Sequence, residues 1–384
     1  MIKAYTAFTS EIDDVDVAVS EILTQLEPEK NCLQNTVAII TCYYEFATSG
    51  VIAKLYKKLT FPIIGTTTTA LATNHGSGQL GFSILMITSD DTTFTAACSS
   101  SLMDRLEAPL AQMYQDALKG HNETPKLILS VAPLMINHAG DNYVNVLNRV
   151  SGGVPNFGTL AIDDDLSYAN SYVIFNDKFE RDIYAIIVAS GNINPQFTYA
   201  SFSHKYVLEH TATITKSDGN ILKEVNGLPL IKYLEMLGLA TGSGISNVLH
   251  LIPFILDYAG EGIPVSRVLV SWTEEGWGIC GGLMPEGTRF SIGTWAKEDV
   301  IGTTTRTIEN ILSGGSVNAL ILYSCLARSH ALDADFLLEA DRANGAIAER
   351  VPYIFAYSGG EICPVRNTAN ANSFHNNTVI ACSF

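Results

Sequence analysis

Apolar and polar positions along the chain fall into two alternating patterns. Between Asp13 and Leu26, Val15, Val19, Ile22, Leu23 and Leu26 recur at helical spacing, with Ser10 or Asp13 placed to cap the first turn. Thr36-Val37-Ala38-Ile39-Ile40-Thr41 follows as a β-branched run apolar at nearly every position, which predicts a strand buried on both faces. A second amphipathic helix over residues 49–59 leads into Phe61-Pro62-Ile63-Ile64-Gly65, and residues 82–87 predict another buried strand.

The same order returns twice. Residues 126–131 read as a buried strand, 142–150 as a helix, 154–158 as a proline-led strand and 183–189 as a closing strand. Near the C-terminus, 319–323, 334–349, 351–355 and 378–382 repeat that series. Residues 198–318 break it. Thr211 to Val225 alternates around Asp218-Gly219 and predicts a hairpin, and Gly227 to Gly238 predicts a helix opened by proline and closed by glycine. A second hairpin is expected over 278–292, turning at Pro285-Glu286-Gly287. The fold class is therefore α/β: two mixed-sheet regions with helices packed on extended sheets, partly built from a repeated strand-helix-strand-strand unit. A boundary near 195–203 separates residues 1–200 from residues 201–384.

Charge narrows the function. The 384 residues carry 23 Lys plus Arg against 39 Asp plus Glu, a formal net charge of −16. That balance argues against nucleic acid as a partner and against an anionic membrane surface. With 47% hydrophobic and only 16% charged residues, disorder is excluded too. Cys32, Cys42, Cys98, Cys280, Cys325, Cys363 and Cys382 form no C-x-x-C pair and lie mostly in apolar runs, as free thiols in a reducing compartment do. No signal-peptide pattern opens the sequence, and no apolar run approaches the ~20 residues of a membrane span. A cytoplasmic protein is expected.

Several kinds of chemistry lack their motif. There is no P-loop, no G-x-S-x-G and no H-E-x-x-H, and the glycine patches at 76–81, 152–153, 281–282 and 359–360 read as turns. Asp163-Asp164-Asp165 supplies three carboxylates, but adjacent residues alternate in direction and do not converge on a cation unaided. The densest polar constellation is Ser324-Cys325-Leu326-Ala327-Arg328 at the end of a buried strand, with Glu361, His375 and Asn376 in other loops of the same unit. Arg328 offers a planar fork either to a carboxylate-bearing ligand or to Glu361 as an ion pair. Cys325 is either a packed thiol or a nucleophile with His375 as its base.

These passages resemble the FIST family of sensory domains, with its paired FIST N and FIST C regions. Ser324-Cys325-Leu326-Ala327-Arg328 resembles S-C-x-[GA]-R, Tyr357 to Ile362 resembles Y-x-[YG]-G-E-[IL], and His375 to Thr378 resembles H-N-x-T. Thr213 to Asn220, Pro62 to Thr68 and Phe157 to Asp164 are similar to further family motifs, with Thr159 where a second glycine is usual. The resemblance implies a FIST N-like region over 1–200, a FIST C-like region over 201–384, and a sensor rather than an enzyme. Similarity in build to a stand-alone, nitric-oxide-sensing subgroup, the NosP proteins, implies non-covalent haem b and a partner histidine kinase. Haem needs an axial side chain in an apolar setting. His250, within Val248-Leu249-His250-Leu251-Ile252, and His204, at the junction of the halves, are the candidates. Three other readings remain open: a non-haem sensor of a small carboxylate metabolite such as an amino acid, bound by Cys325, Arg328, Glu361, His375 and Asn376; a cysteine hydrolase; and a ligand-free scaffold for a basic partner.

Overall fold

The structure is a computed structural model and describes residues 1–136, 138–165, 167–239, 251–257, 264–365 and 372–384. The threefold repetition in the sequence becomes three copies of one unit. The first runs β1 (Lys3–Thr9), helix Val15–Leu26, β2 (Asn35–Cys42), short helices Tyr44–Thr48 and Val51–Tyr56, and β3 (Ile63–Thr67). A hairpin, β4 (Leu71–Thr73) and β5 (Gly76–Gly78), precedes its last strand, β6 (Phe82–Ser89). The second runs β7 (Thr92–Cys98), helix Glu107–Ala117, β8 (Leu127–Ala132), helix Gly140–Ser151 and β9 (Asn156–Leu160). Hairpin β10 (Val173–Phe175) and β11 (Lys178–Glu180) and strand β12 (Ala185–Gly191) complete it.

The third unit opens with β13 (Gln196–Ala200) and is then interrupted by an all-but-separate sheet. This insert contains β14 (Val207–Asp218), β15 (Ile221–Val225), β16 (Leu228–Pro229), helix Leu230–Met236, β17 (Pro253–Asp257), β18 (Pro264–Trp272), β19 (Gly278–Cys280) and β20 (Arg289–Gly293). The unit resumes with helix Lys297–Ser313, β21 (Leu320–Cys325), helices Leu326–Ala331 and Leu338–Ile347, and β22 (Tyr353–Ser358). The antiparallel pair β23 (Glu361–Pro364) and β24 (Asn372–His375) and strand β25 (Val379–Ser383) close the chain.

Each unit gives its hairpin away. The three core sheets have the orders β1-β6-β2-β3-β10-β11, β7-β12-β8-β9-β23-β24 and β13-β25-β21-β22-β4-β5. The first unit completes the third's sheet, the second completes the first's, and the third completes the second's, so the units are closed into a ring by exchanged strands. The parallel pairs end in equivalent register, Cys42 opposite Thr67, Ala132 opposite Leu160 and Cys325 opposite Ser358.

Burial on both strand faces has a simple cause here. Alternate residues of β2, Val37 and Ile39, enter a core shared by all three sheets, while Ala38, Ile40 and Cys42 pack under the helices of the first unit. The other two units have their own outer cores. Period-2 geometry therefore sends every position of such a strand into one core or another. Phe157 marks the meeting of two units, stacked on Tyr323 at 5.6 Å and on Phe197 at 6.3 Å between ring centroids.

Local readings fare unevenly. The helix at 15–26 is capped by Asp14, whose carboxylate accepts the N–H groups of Asp16 and Val17, not by Ser10 or Asp13. The helix expected over 49–59 forms over Val51–Tyr56, and Gly50, at φ +95°, separates it from the short helix Tyr44–Thr48. The hairpin turning at Asp218-Gly219 forms as β14 and β15. The second expected hairpin does not. β19 pairs with β15 and β18, whereas β20 pairs with β14 and β17, so the two strands flanking Pro285-Glu286-Gly287 belong to different parts of the insert's sheet.

Candidate functional site

Arg328, fully buried on helix Leu326–Ala331, is committed inside its own unit. Its Nε donates to Ser324 Oγ at 3.0 Å and to Glu339 Oε1 at 3.1 Å. Its Nη2 donates to Glu339 Oε1 at 2.8 Å, to the Val300 carbonyl at 2.8 Å, to Thr303 Oγ1 at 3.0 Å and to Thr304 Oγ1 at 2.9 Å. Glu339, itself 0% exposed, also accepts from Ser324 and Thr304. The fork thus joins helices Lys297–Ser313, Leu326–Ala331 and Leu338–Ile347. Its carboxylate partner is neither a ligand nor Glu361 but a residue the sequence reading passed over. The one signal for it was a glutamate beside the apolar run Phe336-Leu337-Leu338.

Cys325, Glu361 and the loop 375–378 do come together. Thr378 donates its hydroxyl to Glu361 Oε2 at 2.6 Å, and the Thr378 carbonyl accepts the Cys325 N–H at 2.9 Å. Glu361 is completely buried, Oε1 has no partner among the described residues, and burial raises its carboxyl from the usual 4.5 to about 8. Asn376 is equally buried, with neither amide atom partnered among the described residues. His375 stacks on Tyr199 at 5.1 Å and turns Nε2 to the Cys363 carbonyl at 3.4 Å. Burial first, and the nearby Arg267 second, push its ring down to about 4. The Cys325 thiol is pushed well up, by burial and then by Glu361. No contact between this thiol and the His375 ring, whose Nε2 faces the Cys363 carbonyl, is present among the described residues to support a nucleophile–base pair.

On its other side the same loop holds the insert. Asn377, in the left-handed region at φ +60°, donates to Ser266 Oγ at 2.7 Å and to the Arg267 carbonyl at 3.3 Å. Arg267, 1% exposed on β18, donates to Asp141 Oδ1 at 2.7 Å and to the Phe374 carbonyl at 3.0 Å, both in the core. Asp141 Oδ2 accepts the Leu283 N–H at 2.8 Å in return. Gly281-Gly282 is more than a turn: a side chain at 282 would collide with Arg267 Nε and with Asp141 Oδ2. Close approach across this seam requires glycine there.

Beside the seam lies a cavity of about 670 Å³. Met103, Met135 and Ile136 line it from the core, with Tyr168 from the strap after β9, and Asn220 and Ile279 from the insert. Arg181 and Asp182, just past the donated β10–β11 hairpin, add charge to a mostly apolar wall. The exposed Arg181 forms no ion pair among the described residues, while Asp182 accepts the Ser101 hydroxyl. Asn220 bridges the walls, donating to Cys280 O at 2.8 Å and to Ile136 O at 3.4 Å. Sequence reasoning gave no site role to Arg181, Tyr168 or Asn220: Asn220 ends the family-like passage Thr213 to Asn220, and only the packing of the insert on the second unit brings the three together.

The haem reading calls for His204 or His250 in such a pocket. His204 sits on an exposed 3-10 turn, His204–Tyr206, away from this lining, and His250 lies outside the described residues. No described residue of the lining is a histidine or cysteine, and Met103, Met135 and Tyr168 are its only described side chains of a kind that ligates haem iron. Asp163 accepts the N–H groups of Asp165 and Asn170 and builds a turn, and no group of three or more His, Cys, Asp or Glu among the described residues is arranged to hold a metal.

Two family models match the chain. One, described as the FIST N domain, matches residues 36–228, and the other, the FIST C domain, matches residues 229–364. No curated protein matches it. Among solved structures, a cyanuric acid hydrolase from A. caulinodans is similar over 100% of this chain and 99% of that chain, with 9% identity and a TM-score of 0.34. A likeness that weak carries no argument about fold or activity.

Arg328→Met strands the Glu339 carboxylate in a dry site and should cost about 3–5 kcal/mol in urea unfolding. Arg328→Met with Glu339→Leu should recover most of that loss; a double variant as unstable as the single one contradicts the assignment. Glu361 sets a pH dependence. Because its folded value lies above 4.5, the native state holds an extra proton between pH 4.5 and 8, and stability falls as pH rises through that window. His375 acts oppositely and lower down, removing stability as pH falls from 6.5 towards 4. Between pH 6.5 and 8 Glu361 dominates this pair, and Glu361→Gln should abolish a decline of about 2 kcal/mol measured by urea titrations at each pH.

Proposed function

The chain belongs to the FIST family, whose domains are sensory domains of signal-transduction proteins, and we propose that it senses a small carboxylate-bearing molecule such as an amino acid. The observation carrying this reading is the cavity of about 670 Å³, walled by the core and the insert and edged by the guanidinium of the exposed Arg181, which forms no ion pair among the described residues. Arg181 replaces Arg328 as the carboxylate's partner, since Arg328 is locked to Glu339. Asp182 stands beside it to receive an ammonium group. Methionines and isoleucines supply the apolar area that small-molecule pockets use for affinity.

The cavity's position supports a sensory role over a merely structural one. A molecule touching both walls binds better when insert and core are held close, and so shifts whatever equilibrium exists between them. The change passes to a signalling partner; the class implied by the resemblance is a histidine kinase. No described helix is long and apolar enough to cross a membrane, and the reading places sensing in the cytoplasm. Haem b and nitric oxide lack a supporting observation among the described residues.

Thermal-shift screening of amino acids and small carboxylates should find compounds that raise the melting temperature, and Arg181→Ala should remove the effect while leaving the unliganded melting temperature within about 2 °C. A Soret band in haem-supplemented protein, with no carboxylate stabilising it, would instead favour the haem reading.

A further inference from the structure

A second, smaller cavity of about 30 Å³ lies behind the first. Ile162, Val268, Val270 and Leu326 wall it and Cys325 floors it. Leu134 and Tyr168 line both cavities, so these two side chains form the partition. The polar groups of the inner chamber are occupied within the protein. Ser358 donates to the Gly360 carbonyl at 2.6 Å and accepts from Thr159 at 2.8 Å, while the backbone N–H groups of Asn377 and Ala327 face the Cys325 sulfur. A chamber with apolar walls and satisfied polar groups offers little to water and takes apolar atoms readily.

The partition is held under strain. Tyr168 has φ +53°, in the left-handed region that aromatic residues avoid. It is kept there by a strap folded around Asp163, which is 1% exposed and accepts the N–H groups of Asp165 and Asn170; the Tyr168 N–H in turn donates to Asp165 O at 2.8 Å. Backbone strain held in place by surrounding structure clusters at ligand clamps and switch segments.

We propose that Tyr168 is the door to an apolar inner subsite, and that the molecule sensed is amphiphilic, its carboxylate in the outer cavity and a small aliphatic tip against Cys325. The head-group half rests on the ligand reading above; the door and chamber do not. The subsite makes specificity a matter of length. A ligand with only a polar head fills the outer cavity, whereas one with a tip displaces Tyr168 and reaches the loop 375–378, through which Asn377 holds the insert.

Thiol labelling of the full chain with methyl methanethiosulfonate, read residue by residue by mass spectrometry, tests the door without any ligand. Tyr168→Ala should speed labelling of Cys325 at least about tenfold and leave Cys42 and Cys382, sealed in the cores, unchanged. Leu134→Ala, which removes the other leaf, should act in the same direction. An unchanged Cys325 rate in both variants overturns the door, as does uniform acceleration of all three cysteines in both. For the tip, affinity among straight-chain aliphatic amino acids should rise with length, and Ala327→Leu, which fills the chamber, should cancel that rise. A length dependence untouched by Ala327→Leu overturns the inner subsite. Undiminished binding in Arg181→Ala overturns the head-group reading alone.

Discussion

The seam between core and insert depends on one buried ion pair, Arg267 with Asp141. Removing Arg267 wholly and Asp141 largely from water is costly, and the pair stands because its remaining hydrogen-bonding capacity is used. The guanidinium also reaches the carbonyls of Ser266, Leu283 and Phe374, and the carboxylate also receives the Leu283 N–H. Partners on both sides of the seam make the pair a positional constraint as much as a stabilising one. With it in place, Asn220 can bridge to Ile136 and the cavity has two walls. Without it, the insert presents an uncompensated buried charge to the core, and the geometry of the cavity is lost.

Against this sits a framework built to hold still. The three exchanged hairpins mean that no unit completes its own sheet, so each unit's order depends on another's. Strands that alternate between a shared inner core and a private outer core bury every side chain they carry, and the rigidity of such packing transmits small displacements rather than absorbing them. The cavity takes Arg181 and Asp182 from just past a donated hairpin and Asn220 and Ile279 from the insert. Its described lining comes from the second unit and the insert alone, which ties ligand recognition to the docking of the insert on that unit.

Regular features of the fold were legible from sequence because they depend on local pattern. Period-2 and period-3.6 runs located the principal strands and helices, and Asp218-Gly219 located a turn whose φ of +60° glycine accepts. The repeat was visible for the same reason, although the exchange of hairpins was not, since strand order is written in no local run of residues. The second hairpin failed because the turn at Pro285-Glu286-Gly287 says where the chain reverses and nothing about which strand lies alongside. For Arg328 the charge was legible but its partner was not: Glu339 and Glu361 are both carboxylates within reach along the chain, and only helix packing selects the first. Gly281-Gly282 likewise looked like any glycine turn until Arg267 and Asp141 were seen to require the space.

Hydrogen exchange on the Asp141→Asn variant tests this account most directly. Asparagine keeps the shape of Asp141 and removes the charge that holds Arg267. The account predicts faster exchange at the amides that knit the seam, Gly140 and Leu283, with the central strands β8 and β21 exchanging as in the unaltered protein. Seam amides that exchange at their original rates, or core strands that loosen together with the seam, would contradict the claim that this ion pair sets the insert on the core and so shapes the cavity between them.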